Sequence, residues 1–98
     1  MTINKTRNGS AMTIAVEGRL DTMTAPQLET VIKEELDGVD NLVFDFSELK
    51  YISSAGLRVL LTAQKAMNDQ GSMKVVNVND LVSEVFELTG FSDILDIE

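Results

Sequence analysis

The stretch from Asn41 to Leu61, NLVFDFSELKYISSAGLRVLL, changes its hydrophobic period halfway along, and that change constrains the fold more than any other feature. Leu42-Val43-Phe44 is a short apolar run dense in β-formers, which suits a strand covered on both faces, and Asp45 closes it with a polar group at the carboxyl end. After a connection from Phe46 to Ile52, the apolar positions Leu57, Leu60, Leu61, Ala63 and Met67 recur at three and four residues, the spacing of a helix facing a core. Ser53 and Ser54 therefore stand at the beginning of that helix, above the carboxyl edge of a sheet, where sites gather in α/β proteins.

Two readings of the paired hydroxyls are open. Serine is among the best N-cap residues, because its oxygen satisfies one orphan amide of the first turn, a contribution of about 1 kcal/mol. One serine explains one cap. The second, followed by the small pair Ala55-Gly56, leaves a hydroxyl with little steric cover at the positive end of a helix. An added phosphate there would meet free N–H groups and a favourable dipole.

The flanking segments supply the rest of an α/β domain. Thr2 to Arg7 and Met12 to Glu17 read as a hairpin around Asn8-Gly9-Ser10, with Met12, Ile14 and Val16 alternating inward. Gly18-Arg19-Leu20-Asp21 leaves the second strand. Thr24 and Gln27 have capping-box spacing, Pro26 is tolerated in a first turn, and a helix is expected from about Ala25 with Leu28, Val31, Ile32 and Leu36 as its apolar stripe and Gly38 past its end. Beyond the central helix, Gln70-Gly71 ends the helical pattern and Met73 to Val78 is a further β-rich run. Asn79 or Asp80 can cap a last helix with Leu81, Val82, Val85, Phe86 and Leu88 inward, and Gly90-Phe91 fits a left-handed C-terminal cap. The segment Phe91 to Ile97 reads as a short edge strand whose acidic residues discourage further pairing. The expectation is one domain over residues 1–98, with a mixed sheet of four to five strands (an N-terminal hairpin, then parallel strands) and three to four helices.

Composition narrows the function. At 98 residues the chain supports one modest core. Sixteen acidic against eight scattered basic residues give a formal charge of −8, which argues against nucleic-acid binding and for a partner with a basic patch. No apolar run approaches the roughly 20 residues that span a bilayer, and Met1-Thr2-Ile3-Asn4 lacks the features of a signal peptide, so a cytoplasmic location without membrane contact is expected. With no histidine and no cysteine, Ser-His-Asp triads, thiol nucleophiles, disulfides and most zinc sites are excluded. Ser47-Glu48-Leu49-Lys50 has Ser-x-x-Lys spacing but lies in a connection without companion motifs. Asp21 and Asp45 could form an acid/base or magnesium pair, yet nothing else in the sequence fixes one. The chain reads as a substrate rather than an enzyme, with no cofactor.

Three ordered blocks carry a resemblance. FDFSELKYISSAGLRVLL is similar to the signature of the STAS domain of bacterial anti-sigma factor antagonists, and GRLDTMTAPQLE (Gly18 to Glu29) and VFELTGF (Val85 to Phe91) resemble two further blocks of that family, so the likeness spans essentially the whole chain. Aligned on Gly56, the resemblance puts the family's phosphorylated serine at Ser54. The residue before it, often aspartate in the family, is Ser53 here, which keeps Ser53 as the alternative acceptor. Asp21 falls in the family's glycine-x-leucine-aspartate block; it serves equally as a turn carboxylate bonding nearby amides.

The resemblance implies partner switching. The unmodified domain docks an anti-sigma factor that is also a serine kinase, phosphorylation of Ser54 ends the docking, and a serine/threonine phosphatase resets it. The docking surface would draw on Asp21, Thr22 and Thr24 on one side and on Ser53, Gly56, Leu57, Arg58 and Leu61 on the other. Two rival readings are a constitutive protein-binding scaffold, with Ser54 only a cap, and a small-ligand or nucleotide-binding domain using the helix N-terminus.

Overall fold

A two-residue turn opens the fold: Gly9, at φ +64°, and Ser10 join β1 (Thr2–Asn8) to β2 (Ala11–Leu20) in the computed structural model, which describes all 98 residues. Glycine leading such a turn matches the twist of the two strands. Asn8, read as part of the turn, pairs with Ala11. Met12, Ile14 and Val16 are buried on one face of β2, as their alternation requires.

β2 does not end at Glu17. It continues through Gly18, whose φ of +97° marks a bulge, and the register shifts between Gly18 and Arg19. The shift redirects the strand. Before it, Ala11 to Ala15 pair in parallel with β3 (Asn41–Asp45); after it, Gly18 to Leu20 pair in parallel with β4 (Leu49–Ile52). The stretch read as a plain connection, Phe46 to Ile52, therefore contains a strand. The five-stranded sheet has the order β1-β2-β3-β5, with β5 spanning Ser72–Val76 and β4 lying beyond the end of β3 on the same edge of β2.

Three helices complete the α/β fold: α1 (Ala25–Glu35), α2 (Ser54–Gln70) and α3 (Asp80–Thr89). α1 returns the chain from β2 to β3 and α2 from β4 to β5, the crossovers that parallel strands need. Leu28, Ile32 and Leu36 of the α1 stripe are buried, with Val31 packed at its margin. In α2 the buried face comprises Leu57, Val59, Leu60, Ala63 and Met67, while Leu61 is half-buried. One cluster of 24 buried apolar residues unites all these elements, with Phe44, Phe46 and Phe86 fully enclosed.

The last segment departs from expectation in two ways. Asn79 caps α3 as read, its side chain accepting the Val82 amide at 2.8 Å, and Gly90 at φ +81° ends the helix with Phe91 packed against the core. Only Val82 and Phe86 are buried, however; Leu81 is 53% and Leu88 80% exposed, because a helix lying against one surface presents a narrower stripe than five apolar positions. Phe91 to Ile97 is not an edge strand. Phe91–Asp93 form a 3-10 turn that seats Phe91 and Leu95, and a single parallel bridge, Ile97 to Val75, remains.

Gly56 sets how closely α2 approaches the sheet. A Cβ there would lie 2.8 Å from Leu20 Cγ, 2.8 Å from Ile52 Cγ1 and 2.9 Å from the Leu20 carbonyl oxygen. Gly56→Ala is expected to cost about 1–3 kcal/mol in urea unfolding by overpacking that junction. Asn79 also donates to the Leu49 carbonyl at 2.8 Å, tying α3 to β4. Asn79→Ala should cost about 1–2 kcal/mol by the same measurement, since it removes a cap and strands a carbonyl.

Candidate functional site

The bulge at Gly18 brings the carboxyl ends of β2 and β4 side by side, and the chain then departs from each into a helix. Across that seam the Ser53 amide donates to the Leu20 carbonyl at 2.9 Å. Asp21, which follows Leu20, and Ser54, which follows Ser53, thus leave neighbouring strand ends.

Asp21 closes the β2–α1 turn. Its Oδ1 accepts the Met23 amide at 3.0 Å and the Thr24 amide at 3.2 Å, the Asx geometry expected of a turn carboxylate. Thr24 is positioned to cap α1, but its hydroxyl donates to the Arg19 carbonyl at 2.8 Å and accepts the Asp21 amide at 2.9 Å. The predicted capping box with Gln27 therefore does not form: Thr24 holds the turn upstream instead of the helix downstream. Arg19 lies with its guanidinium carbon 4.2 Å from the Tyr51 ring centre and its Nε 3.6 Å from Asp21 Oδ2. Partial desolvation pushes the Asp21 carboxyl upward, but the hydrogen bonds from Thr24 and Met23 and the nearby Arg19 charge outweigh it and hold the group below the usual carboxylate range.

Asp45 is committed elsewhere. The Ser47 amide donates to its Oδ1 at 3.0 Å and Asn77 Nδ2 at 3.1 Å, and these bonds lower its ionisation below the ordinary range. Asp21 is held by the amides of its own turn and Asp45 by Ser47 and Asn77, and the two carboxylates share no hydrogen-bond partner.

The two serines divide sharply. Ser53 is the N-cap of α2, extended at φ −102° and ψ 177°, yet its side chain makes no capping hydrogen bond. The Ser53 Oγ has less than 1 Å² of accessible surface and no hydrogen-bond partner. The Ser53 carbonyl accepts the first bond of the helix, from the Leu57 amide at 3.0 Å, and the side chain leaves the first-turn amides without a cap. Ser54, the opening residue of α2, is exposed to solvent. One hydroxyl is shielded; the next is open.

Beside Ser54 a groove of about 320 Å³ runs between α1 and α2. Thr22, Pro26 and Glu29 line one wall and Arg58, Leu61 and Lys65 the other. Three of the residues expected at a partner surface, Thr22, Arg58 and Leu61, meet there; Asp21 and Thr24 shape the turn that carries Thr22. Leu57 does not belong to that surface. It is 5% exposed, because its position on α2 faces the core, and Gly56 is likewise buried beneath the first turn. Pro26, Glu29 and Lys65 have no sequence signal of their own, as only the packing of α1 on α2 assembles the groove.

Comparison with known proteins agrees over the full length. The family model described as "Mlab, STAS domain" matches residues 3–96. The candidate anti-sigma factor antagonist BtrV of Bordetella bronchiseptica is 37% identical over 84 residues, covering 84% of this chain and 72% of that protein. The anti-sigma-B factor antagonist of Staphylococcus aureus is 27% identical over 99 residues, covering 99% of this chain and 92% of its relative. Among solved structures, an anti-sigma factor antagonist from Mycobacterium paratuberculosis superposes with a TM-score of 0.88 at 25% identity, over 98% of this chain and 83% of that one. With a bulged β2 feeding parallel β4, an exposed serine opening α2 and a family match from Ile3 to Asp96, the chain belongs to the STAS domain family.

Proposed function

We propose that this chain is an anti-sigma factor antagonist controlled by reversible phosphorylation of Ser54. Unmodified, it docks through the surface around α2 onto an anti-sigma factor that is also an ATP-dependent serine kinase, and so releases a sigma factor. The observation that carries this reading is the contrast between the two serines: Ser54 is open to solvent at the first turn of α2, whereas the Ser53 Oγ is shielded. The names of the Bordetella and Staphylococcus relatives support the antagonist class.

In the transfer, Ser54 Oγ bonds to the γ-phosphorus of ATP, the bond from that phosphorus to the β,γ-bridging oxygen breaks, ADP departs, and the hydroxyl proton passes to a base on the kinase. The product carries about −1.5 to −2 charges at neutral pH. On its own chain that charge sits at a helix N-terminus, where the dipole and first-turn amides favour it. Against a docked partner that packs no cation onto the helix start, it is a dianion taken out of water without an intermolecular counter-charge. Binding is lost while the fold stays.

The groove walls supply the neutral and cationic contacts that would hold the partner before modification: Thr22 from the Asp21 turn, Leu61 and Arg58 from α2. A serine/threonine phosphatase of the metal-dependent type would restore the docking state. Nothing in this scheme requires the chain to catalyse a step.

Incubation with the cognate kinase and ATP should add one phosphate to the wild type by intact-mass measurement. Ser54→Ala should take up none and Ser53→Ala should still be modified; the reverse pattern would move the acceptor to Ser53, and no uptake by any form would leave a constitutive docking module. Ser54→Asp should weaken anti-sigma factor binding at least about tenfold in calorimetry, equivalent to about 1.4 kcal/mol, with a melting temperature within a few degrees of wild type.

A further inference from the structure

We infer that Arg58 is the side chain that receives the phosphate placed on Ser54, and that in doing so it leaves the groove between α1 and α2. The inference rests on the Ser54 reading and extends it to the consequence of modification within the chain itself.

Ser54 and Arg58 are four residues apart on α2 and both are exposed, so they lie one above the other on the same outer face. Helical side chains tilt toward the N-terminus, so a long residue covers the turn preceding its own Cα; for Arg58 that turn begins at Ser54. The guanidinium is also free to move. The ion pairs of the chain are Lys5 with Glu35, Arg19 with Asp21, Lys33 with Glu29, and Lys74 with Glu98, and Arg58 is in none of them.

The other charges facing this end of α2 do not compete. Glu29, across the groove, is held by Lys33 at 2.8 Å, and Asp21 is occupied by its turn amides and Arg19. Lys65 lies eleven residues beyond Ser54, about 16 Å along the helix, out of reach. Arg19, at the neighbouring strand end, is engaged by Asp21 and the Tyr51 ring, so the planar fork of Arg58, one helical turn from Ser54 and able to match two phosphate oxygens at once, is the cation best placed to clasp the new group. Because Arg58 lines the groove in the unmodified chain, its capture by the phosphate removes a cation from that wall as well as adding a dianion beside it. Modification would therefore alter the docking surface at two places, the helix start and the groove.

The test uses the full chain with phosphoserine incorporated at position 54 during translation, titrated by phosphorus NMR at low salt. The second ionisation of the phosphate is expected about 0.2–0.4 pH unit lower in the wild-type background than with Arg58→Ala, the scale of an i,i+4 ion pair on a helix. Arg58→Lys should recover part of that difference as a point charge without the fork. Identical titrations for wild type and Arg58→Ala would overturn the inference, leaving the helix amides as sole phosphate ligands. Since the phosphate is installed without a kinase, this outcome is independent of whether a kinase recognises Ser54, and the two readings fail separately.

Discussion

The hydrogen bond from the Ser53 amide to the Leu20 carbonyl, 2.9 Å long, is the contact on which the site depends. It exists because the bulge at Gly18 turns the last residues of β2 away from β3 and toward β4. Gly18 adopts a backbone conformation that L side chains rarely reach, so the redirection is written into a single glycine. From that seam the two strands hand the chain to α1 and α2 with their first turns adjacent. Gly56 then lets the first turn of α2 settle onto Leu20 and Ile52 with no Cβ between.

Anchoring and signalling are separated on α2. Its inner face, from Leu57 to Met67, is part of the 24-residue core, and each of its large buried side chains, Leu57, Val59, Leu60 and Met67, contributes on the order of 1.5–3 kcal/mol by removal from water. Its outer face, with Ser54, Arg58, Thr62 and Lys65, contributes little to folding. A phosphate on the outer face, as proposed for Ser54, would change the charge of the surface without touching the interior, so the expected effect is on binding and not on folding. The unpartnered Ser53 hydroxyl is the exception to this economy. It is a polar oxygen kept from solvent with no bond of its own, at the one junction where strand, seam and helix converge.

Much of the fold was legible in the residues. The alternation of Met12, Ile14 and Val16, the β-rich Leu42 to Phe44 and the three-four spacing after Leu57 each follow from one element facing one core. β4 was not, because Leu49 to Ile52 is four residues long with Lys50 and Tyr51 between its buried ends, too short for a period-two pattern to stand out. Thr24 and Gln27 had the spacing of a capping box, but spacing cannot show that the threonine oxygen is already engaged with Arg19 and Asp21. Leu81 and Leu88 were read inward since sequence gives the apolar positions of a helix without the width of the surface it meets. At the site, the change of period placed the hydroxyl pair at a helix start and the small residues after it marked the second as the less covered, whereas the missing cap bond of Ser53 was not legible: it depends on how the chain leaves Ile52. The groove was invisible for a related reason, its walls, Thr22 to Glu29 and Arg58 to Lys65, being far apart in the chain.

β1 has a consequence for how the molecule yields. Of its seven residues only Ile3 is even half-buried, its outer edge has no neighbour, and its pairing with β2 reaches no further than Glu17, short of the bulge. Local opening should therefore begin at this margin, where few apolar contacts resist it, and stop before Gly18. The amides of the first strand would exchange with solvent well ahead of those in β3 and β5, and such fraying would pass through the molecule's history without disturbing the neighbourhood of Ser54.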